Sequence, residues 1–194
     1  MKEYEIISNS MNFVANYIGE ISKELDFESI TKLIDKIVSA RRIFLLGAGR
    51  SGLEARAFAM RLMHLGFDVH IVGDVTSPVP EDEDLVIVIS GSGDTPSVIN
   101  TALSIQKKGA TLAAITIHKN STVGRMSNMV IVIPVNIENV DYNIREHMLP
   151  MGTLFEVTVH VFLDAIISQL KERTGTTEAM MKDRHMLSEY VGII

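Results

Sequence analysis

Two short segments concentrate the residue types that hold an anion. Ser90-Gly91-Ser92-Gly93-Asp94-Thr95, followed by Pro96, interleaves glycines with three hydroxyls. Glycine lets backbone N–H groups turn toward negative charge, hydroxyls donate, and Pro96 suits the first turn of a helix whose dipole adds positive potential. A phosphate cradle and a helix cap share this chemistry. Capping accounts for Thr95 and Pro96 but leaves Ser90 and Ser92 together unexplained. Gly47-Ala48-Gly49-Arg50-Ser51-Gly52 has the spacing of a dinucleotide fingerprint, and Asp74 falls roughly where such a site places its ribose-binding acid. A dinucleotide site has no need of the serine-rich segment, so the two segments together favour a small phosphorylated ligand.

Both segments follow aliphatic runs. Ile43-Phe44-Leu45-Leu46, Val69-His70-Ile71-Val72, Leu85-Val86-Ile87-Val88-Ile89, Leu112-Ala113-Ala114-Ile115-Thr116-Ile117 and Val130-Ile131-Val132-Ile133 are unbroken by alternating polar positions. Such runs read as parallel strands covered on both faces. The cover is predicted from helices over Ser51 to Leu65 and Pro96 to Lys108, ending near Gly66 and Gly109. Tyr4, Ile7, Met11, Val14, Ile18, Ile21 and Leu25 form one helical stripe, which suits either packing on its own domain or an oligomer seam. A second helix is expected over Phe27 to Ala40, with Ile30, Leu33, Ile34 and Ile37 inward, and further helices over Thr153 to Lys171 and Thr177 to Tyr190. The expected fold is one α/β domain spanning residues 1–194: N-terminal helices to about residue 40, a five-stranded, mostly parallel sheet over about 41–135, and C-terminal helices over about 150–190. In such sheets ligands sit at the carboxyl ends of the strands, where both segments lie.

Composition narrows the function. A chain of 194 residues that is 46% hydrophobic can bury a sizeable core. With no cysteine, thiol catalysis, disulfides and thiolate metal sites are excluded. A net charge of -6 without a Lys/Arg run argues against nucleic acid as a partner, and no apolar run or leader points to a membrane, so a soluble, cytoplasmic protein is expected. Glu156 and His160 are four residues apart, but no further spaced ligands accompany them, so no metal is expected and His160 reads as a packed residue. His64, His70 and His118 read as core-adjacent, with His118 at a strand end where it could line a pocket. Glu81-Asp82-Glu83-Asp84 reads as a solvated turn, and Asn136 to Leu149 as a long connection, either lid or surface loop.

With Pro150-Met151-Gly152-Thr153-Leu154-Phe155-Glu156 and the late Arg184-His185 added, nearly the whole chain resembles the 3-hexulose-6-phosphate isomerase family of SIS-domain proteins. The resemblance implies a flavodoxin-like three-layer sandwich, no cofactor, and a homodimer or homotetramer. It implies isomerisation of a phosphorylated ketohexose, D-arabino-3-hexulose 6-phosphate, to fructose 6-phosphate through a 2,3-enediol. Gly49, Arg50, Ser51, Ser90, Gly91, Ser92, Gly93, Asp94 and Thr95 would then bind the sugar phosphate. Glu156 would be the base, and His185 of its own or a neighbouring subunit would assist. Taken alone, Glu156 is a first-turn glutamate favoured by the helix dipole, and Arg50 suits a loop in solvent as well as a phosphate. The resemblance gives Glu156 its role, and Met148, Leu149, Met151, Leu154 and Phe155 would supply an apolar setting that raises its proton affinity. One departure bears on His185: the family pattern follows Arg-His with a small residue and Asn before Leu-Glu, whereas here the chain reads His185-Met186-Leu187-Ser188-Glu189. Three alternatives stay open: an arabinose 5-phosphate or heptose phosphate isomerase, a non-catalytic sugar-phosphate regulator, and a nicotinamide-dependent oxidoreductase.

Overall fold

The five aliphatic runs form one parallel sheet in the computed structural model, which describes residues 3–142, 144, 145, 149, 151 and 153–185. The strands are β1 (Ile43–Gly47), β2 (Val69–Ile71), β3 (Leu85–Ile89), β4 (Thr111–Thr116) and β5 (Met129–Val132), in the order β2-β1-β3-β4-β5. Every neighbouring pair is parallel, with Ile43 opposite both Val69 and Leu85 and Leu85 opposite Thr111. The helices are α1 (Glu3–Ile21), α2 (Phe27–Ser39), α3 (Gly49–Leu65), α4 (Pro96–Gln106), α5 (Thr122–Met126), α6 (Thr153–Thr174) and α7 (Glu178–Asp183).

The period-two geometry of a strand divides the core into two layers. Ile43, Leu45, Leu85, Ile87 and Ile89 face α2, α3 and α6, while Phe44, Leu46, Val86 and Val88 face α4 and α5. This is the expected three-layer sandwich. Its strand order reverses direction between β1 and β3, which opens a crevice above their carboxyl ends. α6 is long and apolar enough to cross a membrane by length and composition, and half of that stretch is buried inside this fold. Its buried positions Phe155, Val159, Phe162, Ile166 and Leu170 recur every three or four residues, with Leu154 and Leu163 beside them, the spacing of one core-facing stripe.

Several local expectations are corrected. α5 was not foreseen, because five residues carry too little periodicity to register; it forms because Ser121 Oγ accepts from the Gly124 N–H. α4 stops at Gln106, and Lys107 to Gly109 turn the chain toward β4. α7 ends at Asp183 with Arg184 as its cap, so Arg184 and His185 follow the helix, and the predicted extension to Tyr190 lies outside the described residues. Packing on its own domain holds over the second half of α1. Ile21 is buried and Phe13, Val14 and Tyr17 pack on the core, whereas Tyr4, Ile7 and Met11 stay exposed.

The acidic turn is also corrected. Asp84 is fully buried at the start of β3, where its carboxylate accepts from Arg42 Nη2 at 2.6 Å, Arg41 Nε at 3.1 Å and the Glu81 N–H at 2.8 Å. Burial by itself would raise its proton affinity; the Arg42, Arg41 and Glu81 donors overcome that and hold the carboxyl at about 2. Its folded value lies below the ordinary 3.8, so its stabilisation is complete above about pH 4 and is lost as pH falls through about 2. Asp84→Asn is expected to cost about 2–4 kcal/mol, less than a fully sequestered pair because Arg41 is half exposed. Urea unfolding at pH 7 and at pH 3 checks this, and the loss should be smaller at the lower pH.

Candidate active site

The two glycine- and serine-rich segments meet above β1 and β3. They border a cavity of about 290 Å³ lined by Ala48, Ser51, Ile89, Ser90, Gly91, Ser92, Thr95, Ile117, Phe155 and Glu156. The N-termini of α3 and α4 both open onto it. Their cap residues, Ala48 and Thr95, make no side-chain cap bond, whereas Asp26, Ser121 and Thr177 cap α2, α5 and α7 with theirs. Uncapped N–H groups and the dipoles of two helices at one cavity can hold an anion. Thr95 holds the cap position without capping, so capping does not explain its hydroxyl.

The serines accept inside the loop, leaving their own protons to donate outward. Ser90 Oγ accepts from the Gly93 N–H at 3.2 Å, and Ser92 Oγ accepts from the Asp94 N–H at 3.2 Å. Gly93 has φ of +66°, and a Cβ there would lie 2.0 Å from Ser121 Oγ, so the turn accepts only glycine. Gly91 is required by packing: a Cβ would stand 2.9 Å from Cδ1 of the Phe155 ring. Asp94 does not line the cavity; its Oδ1 accepts from the Thr122 N–H at 2.9 Å, and the Thr122 hydroxyl and N–H together lower its proton affinity. It ties the loop to α5. Gly49, with φ of +57°, begins α3 without lining the cavity. Asp74 is held by both terminal nitrogens of Arg56, at 2.6 and 3.1 Å, so the dinucleotide reading loses its ribose acceptor.

Glu156 enters from the first turn of α6. Its side chain is 14% exposed, and Oε2 is buried with no hydrogen-bond partner among the described residues. Arg50 Nε stands 3.8 Å from that oxygen, beyond hydrogen-bond range, with half its own side chain in solvent. Burial pushes the Glu156 carboxyl above the usual carboxylate range; its own backbone N–H and Arg50 pull the other way, and Glu54 adds to the rise. Leu149, Leu154 and Phe155 supply the expected apolar setting, but Met151 is exposed at φ of +46°, and Met148, Pro150 and Gly152 lie outside the described residues. A buried carboxylate with raised proton affinity beside an anion cradle can take a proton from carbon and return it.

His185 is not brought to this cavity within the chain. Its Nδ1 lies 2.9 Å from His64 Nε2, and Arg184 donates to the His64 carbonyl at 3.0 Å. His64 is thirteen residues beyond Ser51 on α3, roughly 20 Å along the axis. His160, expected to be packed, is half exposed and bonds Glu54 at 2.6 Å. His118, at the strand end, is exposed and does not line the cavity. Sequence reasoning missed Ala48, Ile89 and Ile117 as lining residues and Glu54 as a neighbour of the carboxylate; the uncapped Ala48 was the signal available. Gly91→Ala should cost about 1–3 kcal/mol by overpacking. It should also weaken binding of inorganic phosphate, which urea unfolding and a calorimetric titration would measure.

Comparison with known proteins gives consistent matches. The SIS domain family matches residues 36–161. A 3-hexulose-6-phosphate isomerase from Bacillus subtilis is 40% identical over 185 residues, covering 95% of this chain and 98% of that protein. One from Methanocaldococcus jannaschii is 37% identical over 187 residues, covering 95% and 96%. A crystal structure from Methanococcus jannaschii, from which a molecular function of 3-hexulose-6-phosphate isomerase was inferred, superposes with a TM-score of 0.74. It is 34% identical and the match covers 96% of this chain and 98% of that one.

Proposed function

Because this chain belongs to the SIS domain family, we propose that it is a sugar-phosphate isomerase converting D-arabino-3-hexulose 6-phosphate to fructose 6-phosphate, with Glu156 as the base. The observation that carries this reading is the buried Glu156 Oε2, without a hydrogen bond among the described residues, facing a cavity ringed by hydroxyls and helix N-termini. A regulator that only binds its ligand has no use for such an atom, which costs about 1–3 kcal/mol to leave unbonded.

The phosphate sits on Ser51, Ser90, Ser92 and Thr95 and the N-termini of α3 and α4, so the non-reacting end of the sugar fixes the carbon chain against Glu156. Glu156 removes the proton from C2, the C3 carbonyl oxygen takes up a proton, and the 2,3-enediol forms. Return of the proton to C3, with loss of the O2 proton, completes fructose 6-phosphate. A single carboxylate serves both carbons because they are adjacent. Arg50 steadies the ionised carboxylate and the enediol oxygens at the mouth. Proton NMR in D2O with fructose 6-phosphate should show a 3-ketohexose phosphate and deuterium entering at C3. Glu156→Gln should reduce both by roughly 10²- to 10⁴-fold while leaving Tm unchanged or higher. Exchange at C1 alone would make the enzyme a 1,2-isomerase.

His185 moves protons between O2 and O3 from a neighbouring subunit of a homodimer or homotetramer, since its place beside His64 is remote from Glu156 of its own chain. The exposed apolar residues Tyr4, Ile7 and Met11 of α1 support assembly. Sedimentation should give a mass at least twice that of the chain. Subunits carrying Glu156→Gln, unfolded and refolded together with subunits carrying His185→Ala, should recover part of the activity that each lacks alone; no recovery would remove the shared site.

A further inference from the structure

Beside the contact of Arg50 with Glu156, a second pair of side chains crosses between the same two helices. Glu54 follows Arg50 by four residues on α3, and His160 follows Glu156 by four on α6, a spacing that stacks each couple on one helix face, roughly 6 Å apart. Arg50 Nε approaches Glu156 Oε2 at 3.8 Å, and His160 Nδ1 lies 2.6 Å from Glu54 Oε2. The four side chains form a two-rung ladder. Along α3 a cation is followed by a carboxylate, and along α6 a carboxylate by an imidazole, so each acid has a positive or ionisable partner across the gap and a like group diagonally opposite.

Glu54 is only 17% exposed, so its charge is less screened by water than one at the surface. His160 is half exposed, and Asp164 Oδ2 lies 4.0 Å from its Nε2 on the solvent side. An interhelical pair this open adds little to stability. Its placement against the base is the feature that needs a reason.

We propose that Glu54 and His160 are positioning residues that set the proton affinity of Glu156: Glu54 opposes ionisation of the base, and protonated His160 cancels part of that opposition. The inference rests on the reading of Glu156 as the base and adds two residues to it. Among the described residues, the charged groups facing this cluster are Arg50 and Glu54 from α3 and Glu156, His160 and Asp164 from α6, with Arg61 of α3 lining a cavity with Asp164. Burial is the main cause of the raised Glu156 affinity, and Glu54 acts in the same direction while Arg50 opposes it. Burial alone would leave the base at whatever value the pocket dictates. A paired acid and imidazole on the rim allow that value to be trimmed from outside the cavity, without altering the surface that binds the sugar.

The test is a carbon-13 NMR titration of the Glu156 carboxyl in the full chain, run beside the pH profile of kcat/KM. Glu54→Gln should lower the Glu156 midpoint by roughly half a pH unit, and His160→Gln should raise it by a similar amount. The acid limb of kcat/KM should move in the same two directions, with Tm nearly constant. A purely structural bridge would lower Tm in both variants and leave the midpoint where it was, which overturns the proposal. His160→Gln, on an exposed side chain, keeps the test available if Glu54→Gln fails to fold. If the midpoints shift while no variant isomerises the sugar, the charge-setting role stands and the isomerase reading falls. If isomerisation is present and the midpoints stay fixed, only the charge-setting role falls.

Discussion

The ring of Phe155 rests against the backbone at Gly91, and this contact sets how far the candidate base stands from the anion-binding loop. Phe155 is buried on the core-facing stripe of α6 with Leu154 and Val159. The apolar packing that anchors this helix therefore also fixes the next residue, Glu156, at the cavity wall. No side chain can intervene, because a Cβ at position 91 would occupy the space of the ring. The hydrophobic core and the position of the buried carboxylate are thus two consequences of one helix placement.

That placement has an electrostatic cost which serves the chemistry. Taking a carboxylate out of water without a hydrogen-bond partner for one oxygen raises its proton affinity, as a base working on carbon requires. Positive potential comes chiefly from the backbone. A chain of net charge -6 presents two uncapped helix N-termini at the cavity, where N–H groups and dipoles attract phosphate without a cluster of cationic side chains. Elsewhere side chains satisfy the N-termini of α2, α5 and α7. The contrast separates helices whose N-termini are satisfied by their own side chains from the two whose N-termini open onto the cavity.

α3 carries interactions at both of its ends. Its N-terminus faces the cavity, and its C-terminus is held by Arg184 on the His64 carbonyl and by His185 on the His64 ring. The Arg184 guanidinium at the C-terminus of α3 complements the dipole whose other end faces the cavity. The same docking takes His185 away from Glu156 of its own chain, so a shared role for the two needs a second subunit.

The layout of the fold was legible because it depends on short-range pattern. Unbroken aliphatic runs in the 40s, 80s and 110s can satisfy both faces only inside a covered parallel sheet, and the Gly-Ser loops after the first two of them can lie only at its carboxyl edge. The identities of Ser51, Ser90, Ser92, Thr95 and Glu156 as cavity residues follow from that edge together with the resemblance. Partnerships between residues distant in sequence were not legible. Asp84 looked like one of four solvated acids until Arg41 and Arg42, some forty residues earlier, proved to enclose it. Asp94 belongs to α5 through Thr122, His160 to Glu54, and His185 to His64. Hydrophobic periodicity records which face of an element is buried, whereas the partner of a polar group is chosen by which elements the finished fold brings within about 3 Å of it.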